Sequence, residues 1–261
     1  MNGLARQAKK RSGEEWSWLR KAGVSEGRKV SGVPADVPGD VLKQARAAFG
    51  CEDWPLALER YEHFFDHALD GDPARYYGVR LSYCLSEWAT LGDQFEPARQ
   101  RLEVRAMQAL TEFERTSKRE RFHDFVAISR AIGRDDEGVR IFLGYHTGDI
   151  RLARKIGQFV WHRLIELELW DVCSEHLRKP GKRVDLAFVA FDIELDAGRE
   201  MNLKEFSEKG SERRLIRTLN EVAMVLNRSG RKRDLETIRL RIVKQLERRN
   251  LVDFQSRIFD P

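Results

Sequence analysis

From residue 38 onward, apolar residues recur at intervals of three and four rather than in alternation. That is the period of helices with one buried face. Leu215, Leu219, Val222, Val225 and Leu226 make one such face, and Leu235, Ile238, Ile242 and Leu246 make its partner. Prolines fall where helices should begin: Pro55, Pro73 and Pro97 each open an apolar-periodic segment, at the turn where a missing N–H costs nothing. Asp72 precedes Pro73 as a cap. The run from Leu186 to Ile193 has a strand-like density of apolar residues, but Asp185, Asp192 and Glu194 fit a helix face better than a period of two. No segment reads as a strand.

The turns resemble one another. Gly50-Cys51-Glu52-Asp53-Trp54, Leu91-Gly92-Asp93-Gln94-Phe95, Ile132-Gly133-Arg134-Asp135-Asp136 and Ser229-Gly230-Arg231-Lys232-Arg233 each place a glycine at the end of a periodic segment. Glycine suits that position because the residue ending a helix often takes a left-handed backbone. Gly50 and Gly92 are 42 residues apart and Gly92 and Gly133 are 41 apart, enough chain for two helices and two turns. Each unit is therefore predicted to be a helical hairpin.

The series Gly50, Trp54, Ala57, Tyr61 resembles the tetratricopeptide pattern of turn glycine, aromatic, small residue and second aromatic. Phe95, Ala98 and Leu102 repeat it, and Gly133, Gly138 and Phe142 repeat it loosely. The stretch from His67 to Ser82 is similar to bacterial tetratricopeptide-like proteins. The resemblance covers residues 40 to 180 and implies an all-α fold: a right-handed α-solenoid of antiparallel helical hairpins, expected as one domain over residues 38–261. Repeats here are longer than the usual length of about 34 residues, and the signature is degenerate.

Residues 1–37 differ. Glycines at 3, 13, 23, 27 and 32 and Pro34 interrupt a basic stretch with few aliphatic residues, which predicts a largely flexible arm. Within it, Glu14 to Lys21 has acids first and bases last, with Ser12 as a cap, and reads as a short helix carrying Trp16 and Trp18. Those tryptophans dock either on the same chain or on a partner.

Composition narrows the class. With 41% hydrophobic and 34% charged residues the chain has material for a sizeable core and wetted outer faces. No apolar run reaches the length of about 18 residues needed to cross a bilayer, and the polar, basic start has no apolar stretch of a secretory signal. Cys51, Cys84 and Cys173 are odd in number, far apart and read as buried reduced thiols. Together these features predict a cytoplasmic protein without a membrane partner.

Charge is uneven. Residues 1–30 hold eight Lys and Arg against three acids, and residues 199–249 hold fifteen against eight, so both ends are basic and the middle is acidic. Arg231, Lys232 and Arg233 are the candidate phosphate contacts of a nucleic-acid-associated regulator. Against that reading, residues 207–253 contain no aromatic side chain on which a single strand would stack.

Catalytic signatures are missing: there is no GxSxG, HExxH, phosphate loop or dinucleotide fingerprint. His63 and His67 are spaced for one helix face but lack a third ligand in the neighbouring sequence, and adjacent His123 and Asp124 point about 100° apart on a helix. The chain is thus expected to be non-enzymatic, with no catalytic residue, metal or cofactor. By its resemblance to the solenoid family, the concave face would be lined by Arg46, Ser82, Ser86, His123 and Arg130, with Arg80 and Tyr83 beside them. Arginines there suit a peptide carboxylate, which a guanidinium binds through two parallel hydrogen bonds. Alternatively, Arg80 pairs with Glu87 or another acid of the same chain. The expected activity is protein or peptide binding as an adaptor, scaffold or inhibitor. Nucleic-acid regulation is the second reading, and self-association through an exposed terminal hairpin is open.

Overall fold

Helix punctuation by proline holds along the chain. In the computed structural model, which describes residues 37–70, 73–200 and 204–259, α1 (Pro38–Gly50), α2 (Trp54–His67), α3 (Pro73–Val79) and α5 (Glu96–Thr116) all carry proline in the first two positions. Asp53 caps α2 by accepting from the Leu56 N–H at 3.2 Å. Between α3 and α4 (Leu85–Gln94) the chain stays helical but widens into one π-turn, Arg80–Cys84. The predicted short helix at 14–21 and the Asp72 cap lie outside the described residues.

The series continues with α6 (Arg119–Ala131), α7 (Asp135–Gly148), α8 (Ile150–Glu166), α9 (Trp170–His176), α10 (Pro180–Glu200), α11 (Lys204–Arg228), α12 (Lys232–Glu247) and α13 (Phe254–Phe259). The described residues contain no strand, and the run from Leu186 to Ile193 is helical. No helix among them is long and apolar enough to cross a membrane. The described residues form two compact units that meet in sequence at Val160 and Trp161.

In the first unit α1 packs on α2, α4 on α5, α5 on α6 and α6 on α7, and α2 with α4 and α4 with α6 also touch. Its core is aromatic: Tyr61, Phe64, Trp88, Phe113, Phe122, Phe125 and Phe142 are almost wholly buried. The Trp88 indole N–H donates to the Ala98 carbonyl at 3.0 Å, so its one polar atom is satisfied there. Ala57, Ala98 and Leu102, which carry much of the tetratricopeptide resemblance, are completely buried. Small residues at such positions let helices approach closely.

The second unit buries Val184, Phe188 and Phe191 of α10 against the faces of α11 and α12 read from sequence, Leu215, Leu219, Val222 and Leu226 with Ile238, Ile242 and Leu246. Ion pairs bracket this packing: Asp185 of α10 holds Arg241 of α12, and Asp192 of α10 holds Arg249, just past the end of α12. Glu194 holds Arg214 of α11.

Two details correct the turn reading. Gly133 and Gly230 do take left-handed backbones, at φ 75° and 72°. After α1, however, Glu52 rather than Gly50 is left-handed. Gly92 is not a turn residue either; it lies within α4, where a Cβ would stand 3.2 Å from the backbone of Arg99 on α5. It is a close-approach glycine.

Candidate functional site

The π-turn inserts an extra residue into one helical turn, so the side chains after it rotate out of the register that a 3.6-residue period predicts. Here it carries Arg80 inward. The Arg80 guanidinium lies 3.8 Å over the Phe65 ring, donates from Nε to the Phe65 carbonyl at 2.7 Å, and donates from Nη1 and Nη2 to the two Asp124 oxygens at 2.6 and 3.1 Å. Arg121 adds a bond of 3.3 Å to Asp124 from the rim. Arg80 is thereby withdrawn from any accessible surface, which corrects its assignment to a groove. The acid it pairs with is Asp124, not Glu87.

His123 follows from the same placement. Because Asp124 points into the core, its neighbour on α6 turns about 100° away, toward α3 and α8. The His123 ring stacks on Phe159 at 4.2 Å between centroids and 16° between planes, and its Nδ1 is 2.8 Å from the Tyr77 hydroxyl. Burial lowers the His123 pKa from its ordinary value, outweighing the attraction of Asp124, and burial raises that of Tyr77. A neutral imidazole accepting from the Tyr77 O–H at Nδ1 keeps its N–H at Nε2.

Tyr77, His123 and Phe159 form the wall of an open hollow of about 410 Å³, completed by Arg119, Glu120 and Gln158. Arg119 Nε donates to Glu120 at 2.9 Å, so the rim carries both charges. The arrangement offers ring faces, one amide and a charged edge.

Of the residues predicted to bind a partner, His123 lines this hollow and the others lie elsewhere. Arg46 of α1 grips Glu87 of α4 with bonds of 2.7 to 3.1 Å, and Tyr61 Oη lies 3.4 Å from the same carboxylate. Arg130 is exposed and paired with Asp135 at 3.1 Å. Ser82 donates to the Gly78 carbonyl of its own helix at 2.7 Å, while Tyr83 and Ser86 stand exposed. The three arginines thus hold carboxylates of their own chain. Tyr77 and Phe159, which sequence reading passed over, are the partners that make His123 part of a site.

The basic triplet is split in a similar way. Arg231 pairs with Asp234 and donates to the carbonyls of Ser174 and Leu177 at 3.2 and 2.9 Å, so it fastens α9 to the start of α12. Lys232 and Arg233 remain exposed. A second hollow of about 400 Å³ is lined by Gly230 through Asp234.

In the second unit, the largely buried Glu221 accepts from the Trp161 indole at 3.0 Å and lies 3.0 Å from His162 Nδ1, whose Nε2 is 3.0 Å from Glu166. Arg183 stacks 4.0 Å over Trp161, and burial lowers its pKa. Trp161, His162 and Glu221 thus spend polar atoms on one another. His63 and His67 lie 4.7 Å apart ring to ring, but His67 is turned to Asp70. Among the described residues no three His, Cys, Asp or Glu side chains gather as metal ligands would.

The chain matches no family model, no curated protein and no solved structure.

Proposed function

We propose that this chain is a non-enzymatic binding module, a cytoplasmic right-handed solenoid of tetratricopeptide-like hairpins, whose hollow between α3, α6 and α8 receives a side chain of a protein or peptide partner. The observation that carries this reading is the Tyr77, His123 and Phe159 cluster: ring faces open to solvent, edged by Gln158, Arg119 and Glu120. Ligand sites characteristically combine an apolar wall with a few polar groups that fix orientation. The buried Arg80–Asp124 pair behind His123 fixes α6 against the π-turn and so holds the wall in place.

The test is recovery of partners by the tagged full-length chain, with and without nuclease, beside a Gln158→Trp variant that fills the hollow from an exposed position. A protein partner that survives nuclease and is lost with Gln158→Trp supports the reading. Equal recovery by both forms ends it. Recovery of nucleic acid that falls steeply with salt moves the weight to the exposed Lys232 and Arg233 and to a regulator of nucleic acid.

A further inference from the structure

The ring wall of the hollow continues along α8 as a basic stripe. Arg151, Arg154 and Lys155 stand exposed on the face that carries Gln158 and Phe159, spaced three and four residues apart. Arg154 lies one turn before Gln158 and Lys155 one turn before Phe159. At about 1.5 Å per residue, all three cations fall within about 12 Å of the wall along the helix axis. Among the described residues no carboxylate pairs with any of the three. Asp149, the acid nearest in sequence, caps the helix instead, accepting from the Arg151 and Leu152 N–H groups at 3.1 Å. By contrast, Arg46, Arg105, Arg130 and Arg134 of the same unit each hold a carboxylate. Arg151 also stands in the first turn of α8, which holds no acid and where the helix dipole disfavours a cation. Like charges on adjacent turns repel one another and weaken the helix that bears them, a cost that an anionic partner removes.

We propose, on the reading that the hollow receives a peptide side chain, that its partner is an acidic segment: an aromatic side chain seats against Tyr77 and Phe159, and carboxylates beside it lie along Arg151, Arg154 and Lys155. A hollow of about 410 Å³ has room for one such ring. The guanidinium forks take carboxylates through paired hydrogen bonds. A single nucleic-acid strand fits less well. His123 and Phe159 stack on each other at 4.2 Å, leaving no slot between them for a base. The exposed positions 151, 154, 155 and 158 carry no second ring on which a next base would stack. Glu120 on the rim opposes a phosphate as well. One ring platform beside three cations suits one anchor followed by several acids.

Fluorescence anisotropy of the full chain with labelled short peptides, one tryptophan flanked by glutamates, by glutamines or by lysines, tests this at about 50 mM salt. The glutamate peptide should bind about tenfold tighter than the glutamine one and weaken as salt rises. Arg151→Glu and Arg154→Glu should each weaken it about five- to tenfold, and Gln158→Trp should abolish its binding. Arg151→Glu puts an acid in the first turn of α8, one turn before Lys155, so that variant should melt no lower than the wild type while binding less. Loss of fold would lower both. Glutamate and glutamine peptides bound alike, both lost with Gln158→Trp, overturn the acidic partner and leave the hollow as a peptide site. A glutamate peptide indifferent to both arginine variants overturns it too. So does labelled oligothymidylate that binds more tightly than the glutamate peptide and is lost with Arg154→Glu. If none of the three peptides binds, the acidic partner falls, while partner recovery with and without Gln158→Trp still decides whether the hollow is a site.

Discussion

Arg80 of the π-turn and Asp124 of α6 face each other across 44 residues of sequence, joined by two hydrogen bonds and both at least nine-tenths buried. Removing one partner strands the other charge in the core. Asp124→Ala is therefore expected to destabilise the first unit by about 3–5 kcal/mol in urea unfolding. The apolar double variant Arg80→Met/Asp124→Leu should cost less than Asp124→Ala alone, because neither charge is left unpaired. Additive losses would show that the pair is not coupled.

The burial of His123 has a consequence for pH. Its pKa in the folded chain lies below the ordinary 6.5, so on acidification the unfolded chain takes up a proton before the folded one does. Stability falls as pH drops through 6.5 and goes on falling until the folded pKa is passed. Between about pH 7.5 and about pH 5.5, the wild-type melting temperature should drop further than that of His123→Gln, which has no imidazole to protonate. Equal slopes would mean that His123 does not resist protonation.

Helix positions, proline starts and the α11 and α12 faces were legible in the sequence because they depend on local period and backbone chemistry. The placement of Arg80 was not. A period of 3.6 residues carries no sign of a π-turn, and the carboxylate that draws Arg80 inward lies on another helix. Arg46 and Glu87, 41 residues apart, were hidden in the same way. His123 was legible as a candidate, but its stack on Phe159 depends on how α6 and α8 pack. Cys51 shows the opposite error: it follows apolar residues, yet the turn after α1 leaves it exposed.

Two helical glycines should respond oppositely to a methyl group. In Gly92→Ala the new Cβ meets the Arg99 backbone at 3.2 Å, and separating α4 from α5 should cost about 1–3 kcal/mol. Gly144, exposed within α7, has nothing within 4 Å of that position. There alanine only restricts the unfolded chain and favours the helix, so Gly144→Ala should stabilise by about 0.5–1 kcal/mol. Denaturant midpoints of the two variants decide both signs.

The three cysteines should divide into one reactive and two inert thiols. Cys51 is exposed. Cys84, at the end of the π-turn, is wholly buried with its Sγ 3.7 Å from the Tyr61 carbonyl, and burial drives its pKa far up. Burial pushes Cys173 of α9 up to about 12. Since the thiolate is the nucleophile, both buried groups are short of access and of ionised form. Ellman's reagent should therefore label one thiol rapidly in the native protein and three after denaturation, with Cys51→Ser removing the rapid phase. A second rapid equivalent would show that α9 or the π-turn opens readily, and the variant missing it would identify which.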